Sequence, residues 1–151
     1  FKNKKTNYYK MKKVLIVNSN YYKDVSKNLE NSALKVLKKN KISISIINVS
    51  GIFEIPIAIR KNIKYFDGFI ALGCVIKGKT PHFDLICNST FAGIINLSIF
   101  YNKPISNGII TALNKKQAYE RSGKIKSKKP NKGLEAANAV LSILYNGPKK
   151  K

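Results

Sequence analysis

Strand-like and helix-like hydrophobic patterns alternate four times along this chain, and that alternation restricts the fold more than any other feature. "VLIVN" at 14–18 is a short β-rich run, followed by Val25, Leu29, Ala33, Val36 and Leu37 at helical spacing. "SISIINV" at 43–49 precedes an apolar segment at 54–63, and "GFIALGCV" at 68–75 precedes a long helical stretch from Asp84 to about Phe100. That stretch is expected to turn Cys87, Phe91, Ile94 and Ile95 to one face. "ISNGIITAL" at 105–113 supplies the fourth strand, and two helices near 114–122 and 131–145 follow it. Strands joined by helices run parallel, with right-handed crossovers that place helices on both sides of the sheet. The expectation is a single-domain, three-layer α/β/α sandwich with a four-stranded parallel sheet, of the flavodoxin-like kind.

In such folds ligands gather at the carboxyl ends of the strands, near the point where the strand order switches direction. The loops that matter are then 18–22, 49–54, 74–82 and 112–115. A chain of 151 residues fits one domain that buries about two thirds of its unfolded surface. Residues 1–13 read as a basic arm, expected to be flexible, 14–146 as the domain, and 147–151 as a basic tail. The chain opens on Phe1 rather than Met, the mark of a sequence trimmed, processed or recorded in part. No unbroken apolar run reaches the eighteen or so residues of a membrane span. "FKNKKTNYYKMKK" carries no apolar stretch of a secretory signal. Two cysteines, Cys74 and Cys87, argue against a disulfide framework. A soluble, cytoplasmic protein without a membrane partner is the expectation.

The formal charge of +22 would ordinarily suggest nucleic acid. Against that, only Arg60 and Arg121 of the 29 basic residues are arginine, and Lys, Asn and Ile abound as drift in an AT-rich genome would produce. Readers of nucleic acid lean on arginine for bidentate and stacked contacts. Lysines at 2, 4, 5, 10, 12, 13 and 149–151 read as solvated charge at the chain ends.

Residues 73–80, "GCVIKGKT", satisfy the phosphate-loop pattern, yet that motif needs a helix starting at its lysine. Pro81 follows the threonine and biases Thr80 away from helical angles, and "CVI" is strand-like where the motif wants a loop. Only seven carboxylates are available for a metal. A nucleotide triphosphatase is not the expected reading.

Four blocks make better sense together: "GIFEIPIA" (51–58), "ALGCVIKGKTPHFDLICN" (71–88), "QAYERSG" (117–123) and "NKGLEAA" (131–137). In order and spacing they resemble the 6,7-dimethyl-8-ribityllumazine synthase family over about Val14 to Leu144. The resemblance implies a four-stranded parallel sheet flanked by helices. It implies a reaction joining 5-amino-6-(D-ribitylamino)uracil to 3,4-dihydroxy-2-butanone 4-phosphate, through imine formation, phosphate elimination and ring closure. Neither a metal nor an organic cofactor is implied.

Site residues follow from the same resemblance. His82, the only histidine, matches the residue assigned to proton transfer, a task that imidazole suits near neutrality. Tyr21 aligns with an aromatic that stacks on the pyrimidine, and Ile52, Phe53 and Glu54 with the segment holding the ribityl chain. A carboxylate accepts hydrogen bonds from several hydroxyls, which suits Glu54, although an acid at a helix start also complements the dipole. Cys74, Val75 and Ile76 correspond to the strand end that meets the uracil edge through backbone groups; Cys74 is not read as a nucleophile, and Cys87 is read as buried. Lys79 and Thr80 align with the segment contacting the phosphate substrate, Arg121 with its phosphate-binding arginine and Lys132 with an assisting lysine. A surviving arginine in a lysine-rich chain fits a need for planar anion binding.

Lys79 stands where relatives often carry an acid, Asn107 where they usually carry an aromatic from the adjoining subunit, and loop 124–130 is slightly longer than usual. The family forms pentamers, some closing into icosahedral shells, with the site between neighbouring chains. The resemblance implies that Tyr21, Phe53, Glu54 and His82 come from one chain and Asn107, Arg121 and Lys132 from the next. Two other readings are a scaffold homologue that has lost catalysis and a small basic nucleic-acid-binding protein.

Overall fold

The computed structural model describes residues 10–149. Four strands, β1 (Lys13–Ser19), β2 (Ser43–Val49), β3 (Gly68–Ile76) and β4 (Ile105–Ala112), form one parallel sheet in the order β2-β1-β3-β4. The helices are α1 (Lys23–Lys39), α2 (Ile55–Asn62), α3 (His82–Tyr101), α4 (Lys115–Ser122) and α5 (Lys132–Tyr145). Segment 54–63 is mostly α2, which a short 3₁₀ turn, Ile52–Glu54, leads into; the first turn of α2 accommodates Pro56 because the amide a proline lacks has no helical partner there.

Alternate side chains of each strand enter separate cores. Val14, Ile16, Ile70, Leu72 and Ile110 meet Val25, Leu29, Ala33 and Leu37 of α1 and Ala136, Ala137 and Val140 of α5. Leu15, Val17, Phe69, Ala71 and Ile109 meet Ile55 and Ile59 of α2 and Cys87 and Ile94 of α3. Burying strands on both faces explains why they read as continuous apolar runs. Each full burial of a Leu or Ile contributes about 1.5–3 kcal/mol.

The α1/α5 contact depends on Gly133, because a Cβ there would collide with the carbonyl oxygen of Leu29. Asn131 starts α5 by accepting hydrogen bonds from the N–H groups of Gly133 (2.9 Å) and Leu134 (3.1 Å), while its Nδ2 donates to the Ser122 carbonyl at 2.8 Å. That side chain ties the end of α4 to the start of α5.

Two expectations require correction. Ile95 lies outside the buried face of α3, which is instead formed by Cys87, Thr90 and Ile94. Moreover, α3 is 20 residues long and apolar enough to cross a membrane, by length and composition alone. Scattered polar residues such as Asn88, Thr90 and Asn96 hide this from a search for unbroken runs. Here α3 lies against the sheet. Of the basic arm, residues 1–9 fall outside the described residues, as do 150–151 of the tail; the sheet begins at Lys13.

Candidate active site

The chain runs from β1 to β2 on one side and then to β3 on the other side of β1, so the strand order switches between β1 and β3. Pairing of β1 with β3 spans Val14↔Gly68 to Asn18↔Leu72, whereas β3 continues beside β4 as far as Ile76↔Ala112. The β1-facing backbone of residues 73–76 therefore extends past its strand partner. A cavity of about 390 Å³ opens at this place.

Ser19, Tyr21, Tyr22, Gly51, Ile52, Phe53, Glu54, Cys74, Val75, Ile76, His82 and Ile86 line it. Three of the four expected loops supply all of these but Ile86, which comes from α3; 112–115 contributes none. Ile52 is 4% exposed and fixes the 3₁₀ turn in the core, while Phe53 is 58% exposed and free to meet a ligand. Gly73 allows the close approach: a Cβ there would lie 2.9 Å from both Ile52 Cγ2 and Ser19 Cβ. The turn after β1 is held by the Asn20 N–H donating to the Val49 carbonyl at 3.0 Å and by a Ser26 hydroxyl bond to the Ser19 carbonyl.

His82 is the first residue of α3 and is exposed, so its imidazole can exchange protons with a bound molecule or water. Helix α3 starts there rather than at Lys79, and β3 runs through Ile76, which leaves the phosphate-loop pattern without its geometry. Glu54 stands at the start of α2, where an acid complements the helix dipole, and it also lines the cavity. Tyr21, 71% exposed, packs edge-on against Tyr22 with ring centroids 5.0 Å apart. Burial, then Tyr21 and Cys74, raise the Tyr22 phenol above its ordinary pKa. Burial, with a smaller contribution from Asp24, pushes the Cys74 thiol up to about 12, so it stays protonated at neutral pH and offers no thiolate.

The remaining expected residues do not line this cavity. Lys79 and Thr80 lie in the exposed β3–α3 connection. Arg121 sits in the last turn of α4, and Lys132 opens α5 with its ammonium 3.0 Å from Glu135. Asn107 is in mid-β4, paired across the sheet with Ala71, and its Oδ1 accepts the Ile109 N–H at 3.0 Å. Ser19, Tyr22, Gly51 and Ile86 were not singled out from sequence. Ile86 was legible as the residue one turn after His82 on the same helix face.

A larger hollow, about 780 Å³, lies between α2 and α3 and is bordered by Ile57, Arg60, Phe100 and Tyr101. It contains no carboxylate or imidazole, and Arg60 is stacked on Tyr101 at 4.8 Å. The smaller cavity is where acid–base chemistry can occur.

A flavodoxin-like α/β sheet with a cavity at its switch point, walled by exposed aromatics, a carboxylate and one imidazole, is the arrangement of the α/β proteins that take small molecules at the carboxyl edge. The family model of 6,7-dimethyl-8-ribityllumazine synthase matches residues 11–146. The chain is 42% identical over 139 residues to the 6,7-dimethyl-8-ribityllumazine synthase of Buchnera aphidicola subsp. Baizongia pistaciae, covering 88% of this chain and 86% of that one. It is 41% identical over 135 residues to the enzyme of the same name from Bartonella henselae, covering 87% and 85%. The chain belongs to the 6,7-dimethyl-8-ribityllumazine synthase family.

Proposed function

We propose that this chain condenses 5-amino-6-(D-ribitylamino)uracil with 3,4-dihydroxy-2-butanone 4-phosphate to 6,7-dimethyl-8-ribityllumazine, releasing phosphate and water, the penultimate step of riboflavin biosynthesis. One observation carries the reading. In a member of this family, every residue expected to hold the aminouracil from the same chain lines one cavity together with the only histidine.

In this reading Tyr21 stacks on the pyrimidine, and the backbone of 74–76 meets its polar edge. Ile52 and Phe53 flank the ribityl chain, and Glu54 accepts hydrogen bonds from its hydroxyls. His82 moves the protons: it takes them from carbon or nitrogen as the imine and the eliminated phosphate form, and returns them to the two departing waters, one lost at imine formation and one at ring closure. Holding two substrates in reacting geometry is worth about 7–11 kcal/mol, whereas one acid–base side chain gives about 10²–10⁴-fold, or roughly 3–5 kcal/mol. Positioning is the larger contribution.

The phosphate side of the site comes from Lys79 and Thr80 and from a neighbouring chain, which brings Arg121 and Lys132; the same neighbour brings Asn107 to the aminouracil, in place of the aromatic that relatives usually pack on the heterocycle. Exposed Ile57, Ile95, Ile99 and Phe100 on α2 and α3 support assembly, since apolar surface of this kind marks contact with another protein. The assembly read from the family is a homopentamer working in the cytoplasm, with an icosahedral shell of such pentamers as the alternative.

Mixing the purified protein with both substrates and following lumazine fluorescence tests the function. Product is expected only when both are present. No product from a correctly assembled protein would leave a scaffold that keeps the fold without the chemistry.

A further inference from the structure

At the opposite edge of the sheet, about 20 Å away by the rise of the seven-residue β1, lies a second polar cavity. It has a volume of about 360 Å³ and is lined by Lys10, Lys12, Lys13, Lys64, Tyr65, Phe66, Asp67 and Lys103. Five of these eight are lysine, against 27 lysines in the 151 residues of the whole chain. The fold gathers Lys10, Lys12 and Lys13, solvated charges near the chain end, beside the α2–β3 and α3–β4 connections.

Two lining groups are committed to the fold. Lys103 donates to the carbonyls of Ile63 at 2.6 Å and Phe66 at 2.7 Å. Asp67 accepts the backbone N–H of Lys13 at 2.8 Å. Lys10, Lys12, Lys13 and Lys64 make no ion pair among the described residues. Four like charges around one hollow repel one another, and Asp67 is the single carboxylate that lines it. An occupant with several adjacent negative charges would relieve this repulsion where a single small anion would not. Tyr65, 69% exposed, adds a ring face at the same cavity.

We infer that this cavity binds an oligophosphate chain, whether of a nucleoside triphosphate or an inorganic polyphosphate, separately from the proposed condensation site. Tripolyphosphate and ATP bind it at moderate salt, orthophosphate binds far more weakly, and affinity falls as salt rises.

Calorimetric titration of the full chain with tripolyphosphate, ATP and orthophosphate tests this. Lys12→Glu/Lys64→Glu should weaken tripolyphosphate binding by about tenfold or more. Lys128→Glu/Lys129→Glu, with the same change of net charge in the loop after α4, should leave it nearly unchanged. Tighter binding of ATP that Tyr65→Ala abolishes identifies the nucleotide as the source; equal binding of ATP and tripolyphosphate identifies the inorganic chain. An equal loss in both lysine pairs would reduce the effect to net charge and overturn the inference. So would no binding at moderate salt, or displacement of tripolyphosphate by single-stranded RNA at far lower phosphate concentration. Lumazine formation is measured in the same samples, and a Lys12→Glu/Lys64→Glu protein that keeps it separates this site from the other.

Discussion

Gly73→Ala isolates the steric requirement that shapes the candidate site. Gly73 lies within β3 and does not have the positive φ that only glycine readily adopts, so alanine can take its backbone angles. The added methyl would meet Ile52 Cγ2 and Ser19 Cβ at 2.9 Å each, and both residues are buried. Overpacking of this kind costs about 1–3 kcal/mol, while replacing a glycine in a strand returns about 0.5–1 kcal/mol. The net expectation is a loss centred on about 1 kcal/mol, within a range of roughly 0–2.5 kcal/mol. Urea unfolding at fixed protein concentration reads that loss. Because Ile52 and Ser19 also line the cavity, the KM for the aminouracil should rise while that for the butanone phosphate changes little. A Gly73→Ala protein as stable as the parent, with an unchanged aminouracil KM, would refute the idea that this close approach sets the cavity.

Three further outcomes are expected. His82→Ala should slow turnover by about 10²–10⁴-fold yet leave measurable product; complete loss in a correctly assembled protein would mean the histidine does more than move protons. The Lys124 ammonium, 2.8 Å away, together with the Val25 N–H and the Tyr119 hydroxyl, holds the Asp24 carboxyl below its usual range. A carboxyl lowered by folding stabilises fully above its unfolded pKa of about 3.9 and loses that effect as pH falls through its lowered native value; the urea midpoints of parent and Asp24→Asn should therefore differ at pH 7 and draw together as pH falls below about 4, and a constant gap would contradict this. Burial raises both the Cys74 and Cys87 thiols, with Asp24 and Asp84 adding to it, so the native protein should not react with a disulfide reagent at pH 8 until unfolded; prompt labelling of either would show an accessible thiolate.

The strands were legible because burial on both faces leaves continuous apolar runs, and α1 because one side only meets the sheet. Helix α3 was less so: its apolar residues extend around more than one face, which is why Ile95 was misplaced and why its length escaped a count of unbroken runs. The cavity residues at 52–54, 74–76 and 82 were legible because they sit in motif blocks, and Tyr21 because it falls in the loop after the first strand run. Ser19, Tyr22 and Gly51 line the same space through the turns of the chain, which spacing alone does not reveal. Arg121, Lys132 and Asn107 carry a sequence resemblance that one chain cannot express as a shared cavity, since the proposed site needs a second chain. The lysines at 10, 12 and 13 illustrate the converse: featureless in sequence, they acquire a setting only when Lys64 and Lys103 are folded beside them.

The account turns on one chain's His82 working with another chain's Arg121. Co-expressing His82→Ala and Arg121→Ala chains and assaying the mixed assembly at limiting butanone phosphate tests this directly. Sites that pair an intact imidazole with an intact guanidinium should form at some boundaries, giving activity clearly above either variant assembly alone. Activity no higher than the mean of the two would contradict a site shared between neighbours.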